Sequence, residues 1–183
     1  IVGVFQDSLL GSYRITRKDI KFNHRQAMNL LMCVKNINLY KLPKDKLISS
    51  FDIISQILPP LTLKYKTKRY SDSEDFKTSN NVLEIINGKL VRGQLEKGTL
   101  GDGSKGLIQR ICNDFGNSQS ADFIDNLQNI VTEYMVTNAY SVGISDLIAD
   151  NNTNKLITDV ISNKKEEVFS LIQQTHLGVF DNK

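Results

Sequence analysis

The sequence predicts an α+β protein that is mainly helical, with a small antiparallel β region that includes an Asn-Gly hairpin. Apolar residues recur at helical spacing in both the first and the last third of the 183-residue chain. Residues 63–68 instead alternate lysines with other side chains, and Asn87-Gly88 separates two apolar runs. Helices and strands are segregated along the chain, so a parallel sheet built from βαβ units is not expected.

Three helical segments are predicted in the first third of the chain. Residues 6–13 fit a short helix or a turn. The next helix begins after Asn23, whose side chain can accept a hydrogen bond as an N-cap, and its apolar residues fall on one face. A third helix follows Ser49 or Ser50 and ends before Pro59-Pro60, because proline supplies no backbone donor.

The β region is predicted to follow these helices. Leu63, Tyr65 and Thr67 lie on one side of a half-buried strand, and the lysines between them lie on the other. The acidic and polar residues 71–81 are predicted to form a mobile loop. Asn87-Gly88 then specifies a two-residue hairpin turn, since both central residues of such a turn need positive φ.

Three more helices are predicted in the second half. A short helix over residues 105–116 ends at Gly116, and a long amphipathic helix covers residues 120–140. Residues 141–150 form a link, and a last helix covers residues 153–175. Its apolar stripe consists of Ile157, Ile161, Val168, Leu171 and Ile172.

Composition and charge limit the possible functions but do not define one. A net charge of +3 and a pI of about 8.8 indicate a nucleic-acid partner only weakly. No segment approaches the roughly 20 apolar residues of a membrane span, so no membrane partner is expected. Cys33 and Cys112 lack metal-binding spacing, which predicts free thiols in a reducing, intracellular compartment. The chain opens on Ile1 and is expected to be a piece of a longer protein.

A glycine-rich stretch, "GTLGDGSKG", raises the question of a phosphate-binding loop. Gly98 and Gly103 have the separation of a P-loop, but Ser104-Lys105 follow in swapped order. The lysine of a P-loop must reach the terminal phosphates while the next hydroxyl binds the metal. The swapped order therefore argues against a nucleotide cradle.

The remaining polar residues define no active site. His24 and His176 lie outside the patterns of zinc proteases and catalytic triads. The carboxylates in residues 72–75 are expected to be a solvated loop and not a metal site. The basic residues 64–69 fit a solvated strand face better than a phosphate-binding surface. No catalytic and no metal-binding residue is predicted.

Several stretches, in order along nearly the whole chain, carry a resemblance. "VGVFQDSLLG…RITRKD" is similar to "GIVQDTLxG…LTxRD", and "ISQILPP" is similar to a helix end "S-x-x-x-P". "INGKLVRGQLEKGTLGDGSKGLI" and "NAYSVGISDLIAD" are similar to two further motifs, the second being "NGFSxGIxDTIAD". All four belong to the largest subunit of multisubunit DNA-dependent RNA polymerases. The chain resembles the eukaryotic and large-DNA-virus enzymes more than the bacterial ones.

The resemblance implies that residues 1–140 are the pore domain and residues 141–183 the link and first helix of the funnel domain. It implies a place in the catalytic subunit of DNA-directed RNA polymerase, a nucleotidyltransferase of transcription. By this resemblance, nucleoside triphosphates are expected to enter through the pore, backtracked RNA to leave through it, and a transcript-cleavage factor to reach into it. Expected partners are the other subunits, notably the second-largest, together with template DNA and RNA. The location is the nucleus, or the host cytoplasm or virion for a virus.

The resemblance also supplies the candidate site residues. Gln6 and Asp7 match a Gln-Asp pair just downstream of the family's metal loop, which makes them pore-lining candidates. Lys164 and Lys165 fall where eukaryotic members carry lysines in the funnel helix, although Glu166-Glu167 follow here, as on a charge-paired helix surface.

The family's Mg²⁺ ions are held by an aspartate-rich loop upstream, so this chain is expected to bind no metal and to contain no catalytic residue. The glycines of "GTLGDGSKG" resemble a connection in that subunit and are predicted to serve positive φ and close backbone approach. Two alternatives from other classes stay open: a stand-alone basic nucleic-acid-binding module and an interaction scaffold.

Overall fold

The computed structural model describes residues 2–101, 103 and 105–179. The chain divides into two compact units, Ile1–Ala139 and Tyr140–Lys183. Helices dominate and the strands are short and antiparallel, which confirms the predicted fold class. The apolar core of the first unit is shared by its helices and by its three-stranded sheet.

The described residues of the first unit form five helices: α1 Gln6–Ile15, α2 His24–Leu31, α3 Ser50–Ser55, α4 Lys97–Leu100 and α5 Leu107–Thr137. Asn23 caps α2 as predicted, since its Oδ1 accepts the Gln26 backbone N–H at 2.8 Å. The Gln26 side chain accepts the Asn23 N–H in return at 3.0 Å, which completes a capping box. Ser49 is the N-cap of α3, and a further helical turn covers Leu39–Lys41.

Two small sheets accompany these helices. β1 Lys21–Phe22 and β2 Ile48–Ser49 pair antiparallel, with Phe22 opposite Ile48. β3 Leu63–Lys66, β4 Val82–Ile86 and β5 Lys89–Arg92 form an antiparallel sheet in the order β3-β4-β5. The β1-β2 pair was not predicted, because two residues are too few to show an alternating pattern.

The turn between β4 and β5 consists of Asn87 and Gly88, with φ values of 47° and 73°. Ile86 lies opposite Lys89 across this turn. The backbone N–H of Gly88 donates to the Leu61 carbonyl at 2.9 Å, and the N–H of Asn87 donates to Thr62 Oγ1 at 3.1 Å. The tip of the hairpin is therefore bonded to the segment that leads into β3.

The glycine-rich stretch from Gly98 to Gly106 differs from its prediction in the φ angles of its glycines. Its described glycines do not have positive φ: Gly101 and Gly106 lie at −76° and −70°. Gly101 and Gly106 do serve close approach, since a Cβ at Gly101 would overlap the Lys97 carbonyl oxygen and one at Gly106 would lie 3.0 Å from the Thr99 oxygen. The segment also contains α4, which was not predicted. Asp102 and Ser104 lie outside the described residues.

Helix α5 is broken at Gly116, as predicted, where φ is 87° and ψ is 171°. Helical structure resumes directly after this residue and runs to Thr137. The part beyond the break packs into the core through five buried residues: Phe123, Leu127, Ile130, Val131 and Tyr134. Phe22 of β1 contacts the Tyr134 ring edge-on, with ring centroids 6.1 Å apart.

The acidic loop 71–81 contains no helix or strand and is closed by its own hydrogen bonds. The Glu74 carboxylate accepts from the Ser79 hydroxyl and from Asn81 Nδ2, the latter at 2.9 Å, and these bonds lower the pKa of Glu74. The Tyr70 hydroxyl donates to the Glu74 carbonyl at 2.6 Å. The loop therefore folds back toward β3, which it follows.

The second unit contains a helical turn, Ile144–Asp146, and the helix α6, Asn151–His176. Asp150 caps α6 by accepting the Thr153 N–H at 3.3 Å. The predicted apolar stripe of α6 is about half exposed, at 47–53% for its five residues. Within the described ranges, no helix is both long enough and apolar enough to cross a bilayer.

Candidate functional site

The candidates Gln6 and Asp7 form the first turn of α1, and their side chains are exposed. The backbone at Gln6 has a φ of 50°, a left-handed conformation that costs a non-glycine residue about 1–3 kcal/mol. The chain just before it is fixed, because the Val4 N–H donates to the Leu100 carbonyl at 2.8 Å. The Val4 bond and the left-handed backbone at Gln6 define the path of the chain into α1.

Gln6 and Asp7 line a cavity of about 560 Å³ between α1 and α5. The α1 side of this cavity, which we call the α1–α5 cavity, also contains Phe5 and Ser8. The α5 side is formed by Gln128, Val131, Thr132, Met135 and Val136.

Close packing of the two helices creates this arrangement. Gly11 of α1 lies against α5, and a Cβ at this position would overlap Val131 Cγ1 and approach Met135 Cγ to 2.9 Å. Only a residue without a side chain lets the helix backbones come this close. At the end of α1, the buried Thr16 hydroxyl donates to the Ser12 carbonyl at 2.7 Å and accepts the Leu95 N–H at 3.0 Å.

The described lining of the α1–α5 cavity combines apolar side chains with a few polar ones. Among the described residues that line it, Asp7 is the one charged side chain, and amide and hydroxyl groups supply the other polar side-chain atoms. Across residues 2–101, 103 and 105–179, no three His, Cys, Asp or Glu side chains group to hold a metal ion. The cavity can accept and donate hydrogen bonds, and its carboxylate repels phosphates.

Sequence reasoning missed Gln128 and Thr132, which face Gln6 and Asp7 across the α1–α5 cavity. They lie four residues apart on one face of α5, and Gln128 Nε2 lies 3.5 Å from Thr132 Oγ1. Their polar character at that spacing was visible in the sequence. The sequence did not show which helix these residues would face, because that depends on packing between segments more than 100 residues apart.

Lys164 and Lys165 belong to the second unit, on α6. Lys164 Nζ lies 2.7 Å from Glu167 Oε2, and both side chains are well exposed, at 69% and 60%. Lys165 has no ion pair with any residue that the structure describes. Both lysines border an apolar groove of about 390 Å³ on α6 that contains Ile161, Val168 and Phe169. The ion pair of Lys164 with Glu167 agrees with the predicted charge-paired helix surface.

Residues 1–147 match the family described as RNA polymerase Rpb1, domain 3. The chain is 32% identical over 170 residues to the DNA-directed RNA polymerase subunit 1 of Acanthamoeba polyphaga mimivirus, covering 92% of this chain and 10% of that protein. It is 28% identical over 173 residues to the DNA-directed RNA polymerase II subunits RPB1-A and RPB1-B of Trypanosoma brucei brucei, covering 91% of this chain and 10% of each.

The chain therefore belongs to the RNA polymerase Rpb1, domain 3 family. The resemblance found in the sequence motifs is confirmed. The chain spans about a tenth of the length of the curated relatives it matches.

Proposed function

We propose that the chain is the pore-and-funnel segment of the largest, catalytic subunit of a DNA-directed RNA polymerase. Residues 1–140 form the pore domain, and residues 141–183 form the link and the first helix of the funnel domain. The observation that carries this proposal is the similarity to polymerase largest subunits over 92% and 91% of the chain. A stand-alone binding module need not keep one continuous similarity to a single subunit over that length.

In this proposal Gln6 and Asp7 line the path of triphosphates and backtracked RNA. The described residues of their cavity offer a carboxylate and neutral polar groups and include no cation. Such a surface does not hold phosphates by charge, because Asp7 repels them. Its role is to let an anionic chain pass without binding it.

Lys164 and Lys165 act at longer range in the same path. Glu167 neutralises much of the field of Lys164, so Lys165 contributes the larger share of the attraction. Exposed charges of this kind raise the local concentration of anionic ligands, and salt weakens the effect.

The metal and the partners belong to the whole enzyme. Polymerases of this class transfer nucleotidyl groups with Mg²⁺, and no set of side chains in the described part of this chain fits such an ion. We assign the Mg²⁺ ligands to residues outside this chain. The second-largest subunit, template DNA, RNA, triphosphates and a transcript-cleavage factor are the proposed partners, in the nucleus or in the host cytoplasm or virion for a virus.

Removing the two lysines tests the proposal. In the assembled polymerase, Lys164→Ala with Lys165→Ala should raise the apparent KM for triphosphates or slow rescue from backtracking at low salt. The defect should shrink as added salt shortens the Debye length from about 30 Å at 0.01 M to about 8 Å at 0.15 M.

Lys44→Ala with Lys46→Ala is the matched control, since both lysines are exposed and unpaired within the described residues but lie in the first unit. This control should leave elongation unchanged. Equal behaviour of the two double variants at low salt would contradict the role of α6 as a channel rim.

A further inference from the structure

The hairpin tip, Asn87-Gly88, is the one place in the 183-residue sequence where a glycine follows an asparagine. Gly88 has no side chain to shield its backbone nitrogen, so this nitrogen can approach the preceding asparagine side chain more easily than that of any other residue type. Asn87 is exposed, whereas Gly88 is buried. We propose that Asn87 is a site of spontaneous deamidation and that the contacts of the hairpin tip protect it in the folded protein.

The reaction at this pair needs water as its only co-reactant. The Gly88 nitrogen loses its proton and attacks Asn87 Cγ, so that a new C–N bond forms and the bond from Cγ to Nδ2 breaks. Nδ2 takes up the proton and leaves as ammonia, and a five-membered succinimide ring remains. Water then opens the ring at either carbonyl, which leaves an aspartate or an isoaspartate at position 87. No oxidant or reductant takes part.

The backbone of the turn holds the reacting atoms apart. Asn87 and Gly88 have positive φ values of 47° and 73°. Ile86 lies opposite Lys89, so the two form a type I′ turn. In such a turn ψ of the first central residue is about 30°, which leaves its Cβ and the next nitrogen on nearly opposite sides of the Cα–C bond. Ring closure needs these atoms on the same side, so the Cα–C bond of Asn87 must rotate before the reaction begins.

Two hydrogen bonds and one close contact oppose this rotation. The Gly88 N–H, which must lose its proton for the attack, donates to the Leu61 carbonyl at 2.9 Å. The Asn87 N–H donates to Thr62 Oγ1 at 3.1 Å. A Cβ at Gly88 would lie 2.7 Å from the Pro59 carbonyl oxygen, so Gly88 packs directly against this backbone. The attacking nitrogen is thus both bonded and enclosed while the tip stays in place.

Separation of the tip from residues 58–62 removes this protection. Ile86 and Lys89, which flank the tip, are exposed, so the tip is held mainly by its contacts with residues 58–62. An exposed turn can open locally at a lower free energy than unfolding of the whole chain requires. The rate of deamidation at Asn87 therefore reports how often the tip separates from residues 58–62.

The two products affect the turn differently. An aspartate at position 87 tolerates the left-handed conformation and adds one negative charge at the tip. An isoaspartate adds one carbon to the backbone, so the chain between Ile86 and Gly88 no longer fits a two-residue turn. Formation of isoaspartate should therefore release the Gly88 N–H from the Leu61 carbonyl and speed its hydrogen exchange.

Peptide mapping by mass spectrometry tests the proposal. The full 183-residue chain is incubated at neutral pH, folded in buffer and unfolded in urea, and deamidation of the peptide that contains Asn87 is followed over time. We expect Asn87 to deamidate at least tenfold faster in the unfolded chain than in the folded chain. Thr62→Val removes the acceptor of the Asn87 N–H. It should speed the reaction at least threefold in the folded chain and leave the rate in urea unchanged.

Thr158→Val is the matched control, since Thr158 is also an exposed threonine whose hydroxyl bonds to the backbone, here to the Asn154 carbonyl at 2.9 Å. It should leave the rate at Asn87 unchanged.

Equal rates in the folded and the unfolded wild type, or equal rates in the folded Thr62→Val and Thr158→Val variants, would overturn protection by the tip. An unfolded chain that keeps Asn87 intact would overturn the site itself. The wild-type comparison decides the proposal even where Thr62→Val unfolds the chain. Because the assay follows one covalent change without polymerase, its outcome is independent of the pore proposal.

Discussion

Replacing Gly88 tests whether the hairpin turn between β4 and β5 determines the stability of the first unit. Gly88 combines two demands on one residue. Its φ of 73° is a left-handed conformation, and a Cβ there would lie 2.7 Å from the Pro59 carbonyl oxygen and 3.2 Å from the Leu58 oxygen. The turn cannot easily move away, since the Gly88 N–H donates to the Leu61 carbonyl.

The left-handed conformation and the close backbone oxygens together determine how much Gly88→Ala lowers the free energy of unfolding. The left-handed conformation costs an alanine about 1–2 kcal/mol. The overlap with backbone oxygens adds about 1–3 kcal/mol, the usual cost of overpacking. Alanine recovers about 0.4–1 kcal/mol by restricting the unfolded chain. We therefore expect Gly88→Ala to lower the free energy of unfolding by about 1–5 kcal/mol.

Urea denaturation followed by far-ultraviolet circular dichroism measures this loss, provided that the denaturant slope is unchanged. Gly88→Asn separates the two costs, because asparagine tolerates the left-handed conformation but keeps the overlap. Gly103→Ala is the control: a Cβ there meets nothing within 4 Å, and its φ is not positive. A Gly88→Ala variant as stable as Gly103→Ala would refute the reasoning.

Three further changes test the interactions that position the site. Gly11→Val should destabilise the chain by about 1–3 kcal/mol and open the α1–α5 cavity, since the new side chain would overlap α5; thermal unfolding measures the loss. Asn23→Ala should cost about 1 kcal/mol by the same assay, because it removes the cap of α2. Hydrogen bonds and ion pairs with Lys64 and Arg92 lower the pKa of Glu84 in the folded protein. The Glu84 carboxylate therefore adds to the free energy of unfolding above its unfolded pKa, and this contribution is lost as the pH falls through its folded pKa. Glu84→Gln should therefore destabilise the chain at pH 7 and have little effect near pH 2, and an equal loss at both pH values would contradict this ion-pair role.

Local patterns in the sequence predicted the elements whose causes are local. The Asn23 cap, the Ser49 cap and the helix break at Gly116 each depend on residues within a few positions, and the structure contains all three. The pairing of β1 with β2 places Lys21 opposite Ser49. No local periodicity predicts a contact between residues so far apart in the sequence. The single turn of α4 is likewise too short for a periodic signal.

The candidate site likewise depends on contacts between distant segments that local sequence patterns do not predict. Gln6 and Asp7 were selected by resemblance, and they begin a helix where a short helix or a turn was predicted over residues 6–13. Their neighbours on α5 follow from the close approach at Gly11, which no spacing rule contains. The glycines of "GTLGDGSKG" were assigned partly to positive φ, but the described ones instead allow close approach to Lys97 and Thr99.

Crosslinking from the transcript tests the pore assignment most directly. A backtracked complex of the assembled polymerase would carry 4-thiouridine at the RNA 3′ end, and the crosslinked peptides would be mapped by mass spectrometry. We predict crosslinks to the α1–α5 cavity around Gln6 and Asp7, which disappear when the same RNA is held in register without backtracking. Crosslinks from the backtracked 3′ end that bypass residues 1–183 altogether would contradict the assignment of this chain to the pore.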